Sequence, residues 1–140
     1  VGYEEFASEF NNLPKCDFVS FDYGEKYIRN DFSIRIYKEH QTYPLFDDKL
    51  NLKDFFGISD ITYDVNFAHV IEAFEDRGFN LADFKTQARA LVEFGIIDIL
   101  EQFARLTTQE RYISEADKIK TLISPTIMGD KFKMIYLSKE

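Results

Sequence analysis

The feature that most limits how this chain can fold is a change of hydrophobic period along its length. Tyr3, Phe6, Ala7, Phe10 and Leu13 recur at the spacing of one helical face, with Glu4, Glu5 and Glu9 on the wet side. Asn11-Asn12-Leu13-Pro14 ends that pattern, because proline biases its predecessor away from helical angles. From Asp17 the period drops to two: Val19, Phe21 and Tyr23 alternate with Ser20 and Asp22, up to a turn signal at Gly24-Glu25. Ile28, Phe32, Ile34 and Ile36 then share one parity, while Arg29, Ser33, Arg35 and Tyr37 take the other. The two runs predict an antiparallel hairpin, with Asn30-Asp31 supplying a bulge or a second turn. Residues 39–50 read as loop, and a short amphipathic turn around Leu50, Leu52, Phe55 and Phe56 ends at Gly57.

The helical period then returns. Asp64 or Asn66 caps a helix with Phe67, Val70, Ile71 and Phe74 inward, and Gly78 is its left-handed stop. Asn80 is expected to cap the next helix, whose inner face is Leu81, Phe84, Ala88, Leu91 and Val92. Gly95 predicts a kink or two helices meeting, and the nearly all-apolar run 95–100 predicts the most buried part of the fold. Thr107-Thr108-Gln109-Glu110 matches a capping box ahead of a helix with Tyr112, Ala116, Ile119 and Ile123 inward, stopped by Ser124-Pro125. Gly129-Asp130 between two extended segments, the second with Phe132, Met134 and Tyr136 alternating, suits a hairpin turn.

The expected fold is therefore α+β: an N-terminal helix and antiparallel β-hairpin followed by a helical bundle ending in a C-terminal β-hairpin, the element order of a winged helix. Without internal repeats or low-complexity linkers, residues 1–140 read as a single α+β domain. The alternative is a division into 1–58, helix plus hairpin, and 59–140, helical with the C-terminal hairpin. At 45% hydrophobic residues the chain can build a core, with 15 Phe and no Trp supplying its bulk. No apolar run approaches membrane-spanning length. Val1-Gly2-Tyr3 and the early glutamates are not a basic leader before an apolar stretch, so a cytoplasmic site, or the host-cell interior for a viral chain, is expected.

The chemistry-bearing patterns are mostly negative. The six glycines are never closer than 17 residues, which leaves no room for a dinucleotide fingerprint or a P-loop. A Gly-x-Ser-x-Gly elbow and zinc-type Cys/His spacing are absent, and Cys16 reads as a small half-buried side chain. His69 and Glu72 form a His-x-x-Glu pair without further ligands, so His69 reads as a surface histidine; His40 reads as a solvated loop residue. Asp47-Asp48-Lys49 has the residue types of a nuclease metal site but stands in expected loop. No motif calls for a cofactor or a metal.

Charge divides the chain. Residues 1–104 hold 20 acidic and 10 basic residues, and residues 105–140 hold 5 and 7, within a net charge of -8. Phe6, Phe10, Phe67, Phe74, Phe84 and Phe103 fall on expected inner faces, whereas Tyr23, Tyr27, Tyr37, Tyr43 and Tyr63 lie among acidic groups in residues 22–64. The first functional expectation is a non-enzymatic, acidic protein-binding module of inhibitor, immunity-factor or adaptor type. It would dock a basic protein partner through Tyr23, Tyr27, Asp31, Tyr37, Tyr43, Asp47 and Asp48. The alternative is a winged-helix-like nucleic-acid-binding or regulatory domain, with Lys118 and Lys120 on the last helix and Lys131 and Lys133 on the hairpin meeting phosphate.

Overall fold

The computed structural model describes residues 2–27, 33–39 and 41–140. The predicted strand residues Ile28 and Phe32, the Asn30-Asp31 turn and His40 lie outside them. The element order is α1 (Tyr3–Ser8), β1 (Cys16–Glu25), β2 (Arg35–Lys38), β3 (Gln41–Pro44), β4 (Asp60–Thr62), β5 (Val65–Asn66), α2 (Phe67–Glu75), β6 (Asn80–Thr86), α3 (Gln87–Glu93), α4 (Ile96–Leu106), α5 (Gln109–Ile123) and β7 (Phe132–Lys139). A single 3₁₀ turn at Leu52–Asp54 and a π-helical turn at Pro125–Gly129 complete it. The α+β class holds. Among the described residues, no helix is long and apolar enough to cross a membrane.

The pairing of the strands differs from the expected hairpins. β1 does not pair with the next strand in sequence. It runs antiparallel to the last strand, from Cys16 opposite Lys139 to Tyr23 opposite Phe132, in a four-stranded sheet of order β5-β1-β7-β6. β2 instead joins β3 and β4 in a separate three-stranded sheet. Period-two patterning shows that a segment is extended but carries no information about which distant strand will complete its ladder. The terminal hairpin is absent for the same reason. Residues 125–129 wind as a turn in which Gly129 N–H donates to the Ser124 carbonyl at 2.8 Å, and β7 leaves that turn to enter the middle of the sheet.

The predicted helix at 80–92 begins as strand β6. A bulge between Leu81 and Asp83 inserts one extra residue, so Leu81 faces Leu137 and Phe84 faces Ile135 on one side of the sheet. The resulting three-residue spacing imitates a helical face. Two helices do meet at Gly95, which takes the left-handed conformation at φ 84°. The apolar run behind it is not the deepest part of the fold: Ile99 is 61% exposed and α4 has no buried residue. At α5 the cap is Thr108, whose hydroxyl accepts from Arg111 N–H, so the Thr107/Glu110 box does not form.

Sequence signals held where they were local. Asn66 Oδ1 accepts from His69 N–H at the start of α2, and Gly78 stops it at φ 82°. The core lies between α1, α2 and one face of the sheet: Ala7, Phe67, Val70, Ile71, Phe74, Phe79, Ile135 and Leu137 are buried together. Phe18 stacks on Phe74 with ring centroids 4.7 Å apart, and Phe6, Phe10 and Phe79 surround the same ring. Phe74→Ala is expected to cost about 3–5 kcal/mol, because the cage around a fully buried ring cannot collapse into the space it leaves. Urea denaturation would show this as a lower midpoint with an unchanged slope.

Candidate functional site

A cleft of about 610 Å³ lies between the carboxyl end of β1 and the small sheet. Its floor is Tyr23, Gly24 and Glu25; Arg35, Tyr37, Asp60 and Thr62 come from β2 and β4, with Tyr63, Asp64 and Lys131 at its sides. In α/β sheets, ligands collect outside the carboxyl ends of strands, where loops can be varied without disturbing the ladder.

Backbone contact shapes the floor. At Gly24 β1 approaches β5 so closely that a Cβ would lie 2.0 Å from the Val65 carbonyl oxygen. Only glycine permits this join, and it places Glu25 beside Asn66 in a short parallel pairing. Glu25 is held from below by Lys133, whose Nζ lies 3.1 Å from Oε1 and donates to the Asp130 carbonyl at 2.6 Å. Lys133 is among the few buried charged residues, and these partners compensate its burial. On the facing wall Arg35 meets Asp64 Oδ1 at 2.7 Å, while Asp64 N–H donates to Ser33 Oγ. Tyr23 lies against Phe132 with centroids 3.9 Å apart.

Tyr3 sits behind this wall. Burial, together with its hydrogen bond to the Tyr63 side chain, pushes its phenol up to about 12. Tyr136, donating to Asp17 Oδ1 at 3.0 Å, is also raised, by that hydrogen bond above all. The cleft thus offers aromatic walls, tyrosine hydroxyls and charges of both signs. It suits a polar ligand held at several points. Among the described residues no cluster of three or more His, Cys, Asp and Glu could hold a metal ion.

The residues singled out from sequence separate in space. Tyr23, Tyr37 and Lys131 come together in the cleft. Tyr27 is 65% exposed just past β1, and Asp31 lies outside the described residues. Tyr43 turns to Phe55, 5.1 Å away, and hydrogen-bonds Gln41. Asp47 Oδ1 accepts from Lys49 N–H in a turn that also carries the exposed Asp48. Lys118 and Lys120 pair along α5 with Glu115 and Asp117, and Lys133 is the buried support of Glu25. Sequence pattern left Gly24 and Arg35 without a role in a site, since nothing local reveals that a glycine will meet a carbonyl from residue 65. His69 is a surface histidine, as expected, 3.9 Å from Glu4.

No family model matches the chain, and none of the curated proteins does. Solved structures do match. One is an uncharacterized COG1565 superfamily protein from Burkholderia thailandensis, at 26% identity and a TM-score of 0.80 over 97% of this chain. Another, from the same organism, is a COG1565 superfamily member described as a "likely methyl transferase" and bound to S-adenosyl-homocysteine, at 25% identity and a TM-score of 0.79. The chain spans only 36% and 35% of those structures. These likenesses correct the characterisation as a protein-interaction or winged-helix protein, and the geometry agrees for the wing: β7 lies inside a sheet instead of forming a hairpin tip.

The Tyr3 shift has a signed consequence. A phenol raised from 10.0 to about 12 contributes stability that is fully present below pH 10 and lost as pH rises towards 12. Spectrophotometric titration is expected to show Tyr3 ionising late, in addition to the raised Tyr136, and Tyr3→Phe is expected to remove the step near pH 12 and flatten the alkaline loss of stability.

Proposed function

We propose that this chain forms one wall of the reaction cleft of a methyltransferase of the COG1565 type, on the side that receives the methyl acceptor. The observation that carries the proposal is the match over 97% of the chain to a structure holding S-adenosyl-homocysteine. The cleft at the carboxyl end of β1 supports it, because its groups converge on a space large enough for a polar side chain or small molecule.

The residues present do not fit the cofactor by themselves. Nucleotide-bearing cofactors are commonly seated where a glycine-rich turn brings backbone N–H groups to a helix start, and glycines at least 17 residues apart cannot make one. The cofactor's cradle therefore belongs to the part of such a protein beyond this third. The contribution of this chain is to bind and orient. Tyr37, Tyr63 and Lys131 offer hydrogen bonds and charge to an acceptor, while the Lys133–Glu25 and Arg35–Asp64 pairs hold the two walls in shape.

The test uses the polypeptide as its gene encodes it, with labelled S-adenosylmethionine as methyl donor. S-adenosyl-homocysteine is expected to bind, and methyl groups to pass to an acceptor in the source-cell extract. Tyr37→Ala and Lys131→Ala are each expected to lower kcat/KM for that acceptor by about tenfold or more, the loss of roughly 1.4 kcal/mol of binding in the transition state. Affinity for S-adenosyl-homocysteine should stay within about twofold. A polypeptide that binds neither cofactor form would sink the proposal.

A further inference from the structure

We infer that Lys133 is a positioning residue, which holds Glu25 so that one carboxylate oxygen is presented to a ligand group carrying N–H or O–H. Lys133 stands on β7, a strand paired on both edges, and is 9% exposed beside Met134 and Ile135 at 1% or less. Its Nζ donates to the Asp130 carbonyl at 2.6 Å and lies 3.1 Å from Glu25 Oε1. Replacing a largely buried ion pair by apolar side chains is often neutral or stabilising. Stability alone therefore does not account for a charge at a position where an apolar side chain would pack.

The effect of the pair is felt at Glu25. Its backbone is fixed by close approach: a Cβ at Gly24 would lie 2.0 Å from the Val65 carbonyl oxygen, and Glu25 stands opposite Asn66 in the parallel pairing. Its side chain is fixed at Oε1 by Lys133. Lys133 is itself restrained, since the Asp130 carbonyl takes a second of the three donors that an ammonium carries. Glu25 lines the cleft, and among the described residues its Oε2 has no partner. The outcome is a carboxylate with a set backbone, one oxygen tethered and the other left for a ligand.

The other carboxylates of the cleft are built differently. Asp64 is committed to Arg35 at 2.7 Å. Asp60 is an exposed side chain on a strand of three residues. Among the described residues of the cleft, Glu25 alone combines a free oxygen with restraint at both backbone and side chain. An ionised carboxylate accepts hydrogen bonds and donates none, so its partner carries N–H or O–H. Lys133 already offsets the charge of Glu25, and what remains for the ligand is chiefly direction: a hydrogen bond that sets the angle of the donor atom. Alignment of this kind lowers a barrier by holding reacting atoms in line. Calling the bound group a methyl acceptor rests on the function proposed above; the hydrogen-bonding site does not.

The test uses the polypeptide as its gene encodes it, with carbon-13 in its glutamates. Three-bond couplings in the Glu25 side chain are expected to report one χ1 rotamer in the wild type and averaging in Lys133→Met, with Lys133→Arg closer to the wild type. Methylammonium, a small charged N–H donor, is expected to shift the Glu25 carboxyl carbon saturably. Tetramethylammonium, of the same charge but without N–H, is expected not to. An averaged side chain in the wild type, a single rotamer in Lys133→Met, or equal shifts with the two ions each overturns the inference. Where Lys133→Met does not fold, Lys133→Arg and the wild-type measurements decide. In methyl transfer, Lys133→Met is expected to lower kcat about tenfold with KM within about twofold, and a loss confined to KM also overturns the inference. A protein that meets the coupling and ion expectations but transfers no methyl group supports the site and counts against the function proposed above.

Discussion

The antiparallel insertion of β7 between β1 and β6 is the interaction on which everything else rests. It joins the last residues of the chain to the first strand, Cys16 to Lys139, and to the strand after α2, Asn80 to Ser138. A strand paired on both edges and covered on both faces must be apolar in nearly every position, and Met134, Ile135 and Leu137 are each at most 1% exposed. One face serves two ends: Ile135 and Leu137 complete the aromatic core beneath α1 and α2, and Lys133, on the same face nearer the start of the strand, fixes Glu25.

The cleft inherits its form from that sheet. The β1–β7 ladder ends at the Tyr23–Phe132 pair, so its last rung is also the first wall of the concavity. One residue on, Gly24 lets the Val65 backbone close in, which brings the exit of the small sheet back to its point of departure. The Arg35–Asp64 contact clasps the same junction from the other side. Exposed ion pairs contribute little to stability. This one matters for geometry, because Asp64 is only 18% exposed and also anchors Ser33 through its amide.

What could be read in the sequence was local. Asn66 and Gly78 marked both ends of α2 because a cap and a left-handed stop involve neighbours within a few residues. The α+β class followed from the alternation of periods. β6 was hidden because its bulge put Leu81 and Phe84 three residues apart on one face, which is a helical spacing. The exposure of α4 was hidden because composition says that a run is apolar and not what it packs against. The site was half legible: Tyr23 and Tyr37 stood out as tyrosines in an acidic stretch, yet Tyr43 and Asp47, from the same stretch, turned elsewhere. A cleft assembled from residues 23–25, 35–37, 60–64 and 131 is a product of pairing, and pairing over a hundred residues leaves no local trace.

The uneven charge follows from the same topology. The last 36 residues are richer in lysine than the body, which on composition alone suggests a surface for an anionic partner. Their places in the fold divide them. Lys133 stands opposite Asp22 in the ladder and bonds Glu25; Lys139 donates to the carbonyls of Phe10 and Asn11 and lies over the Phe79 ring. Lys118 and Lys120 are paired along their own helix. A strand that enters between neighbours carrying Asp17, Asp22, Glu25 and Asp83 is stabilised by opposite charge at its ends. Of the basic residues of the terminal quarter, Lys133 and Lys139 are thus turned inward as the complement of the strands that β7 joins, while Arg105, Arg111, Lys118, Lys120 and Lys131 stay exposed. Lys131 alone among these reaches the cleft, where it and Arg35 are set against Glu25, Asp60 and Asp64.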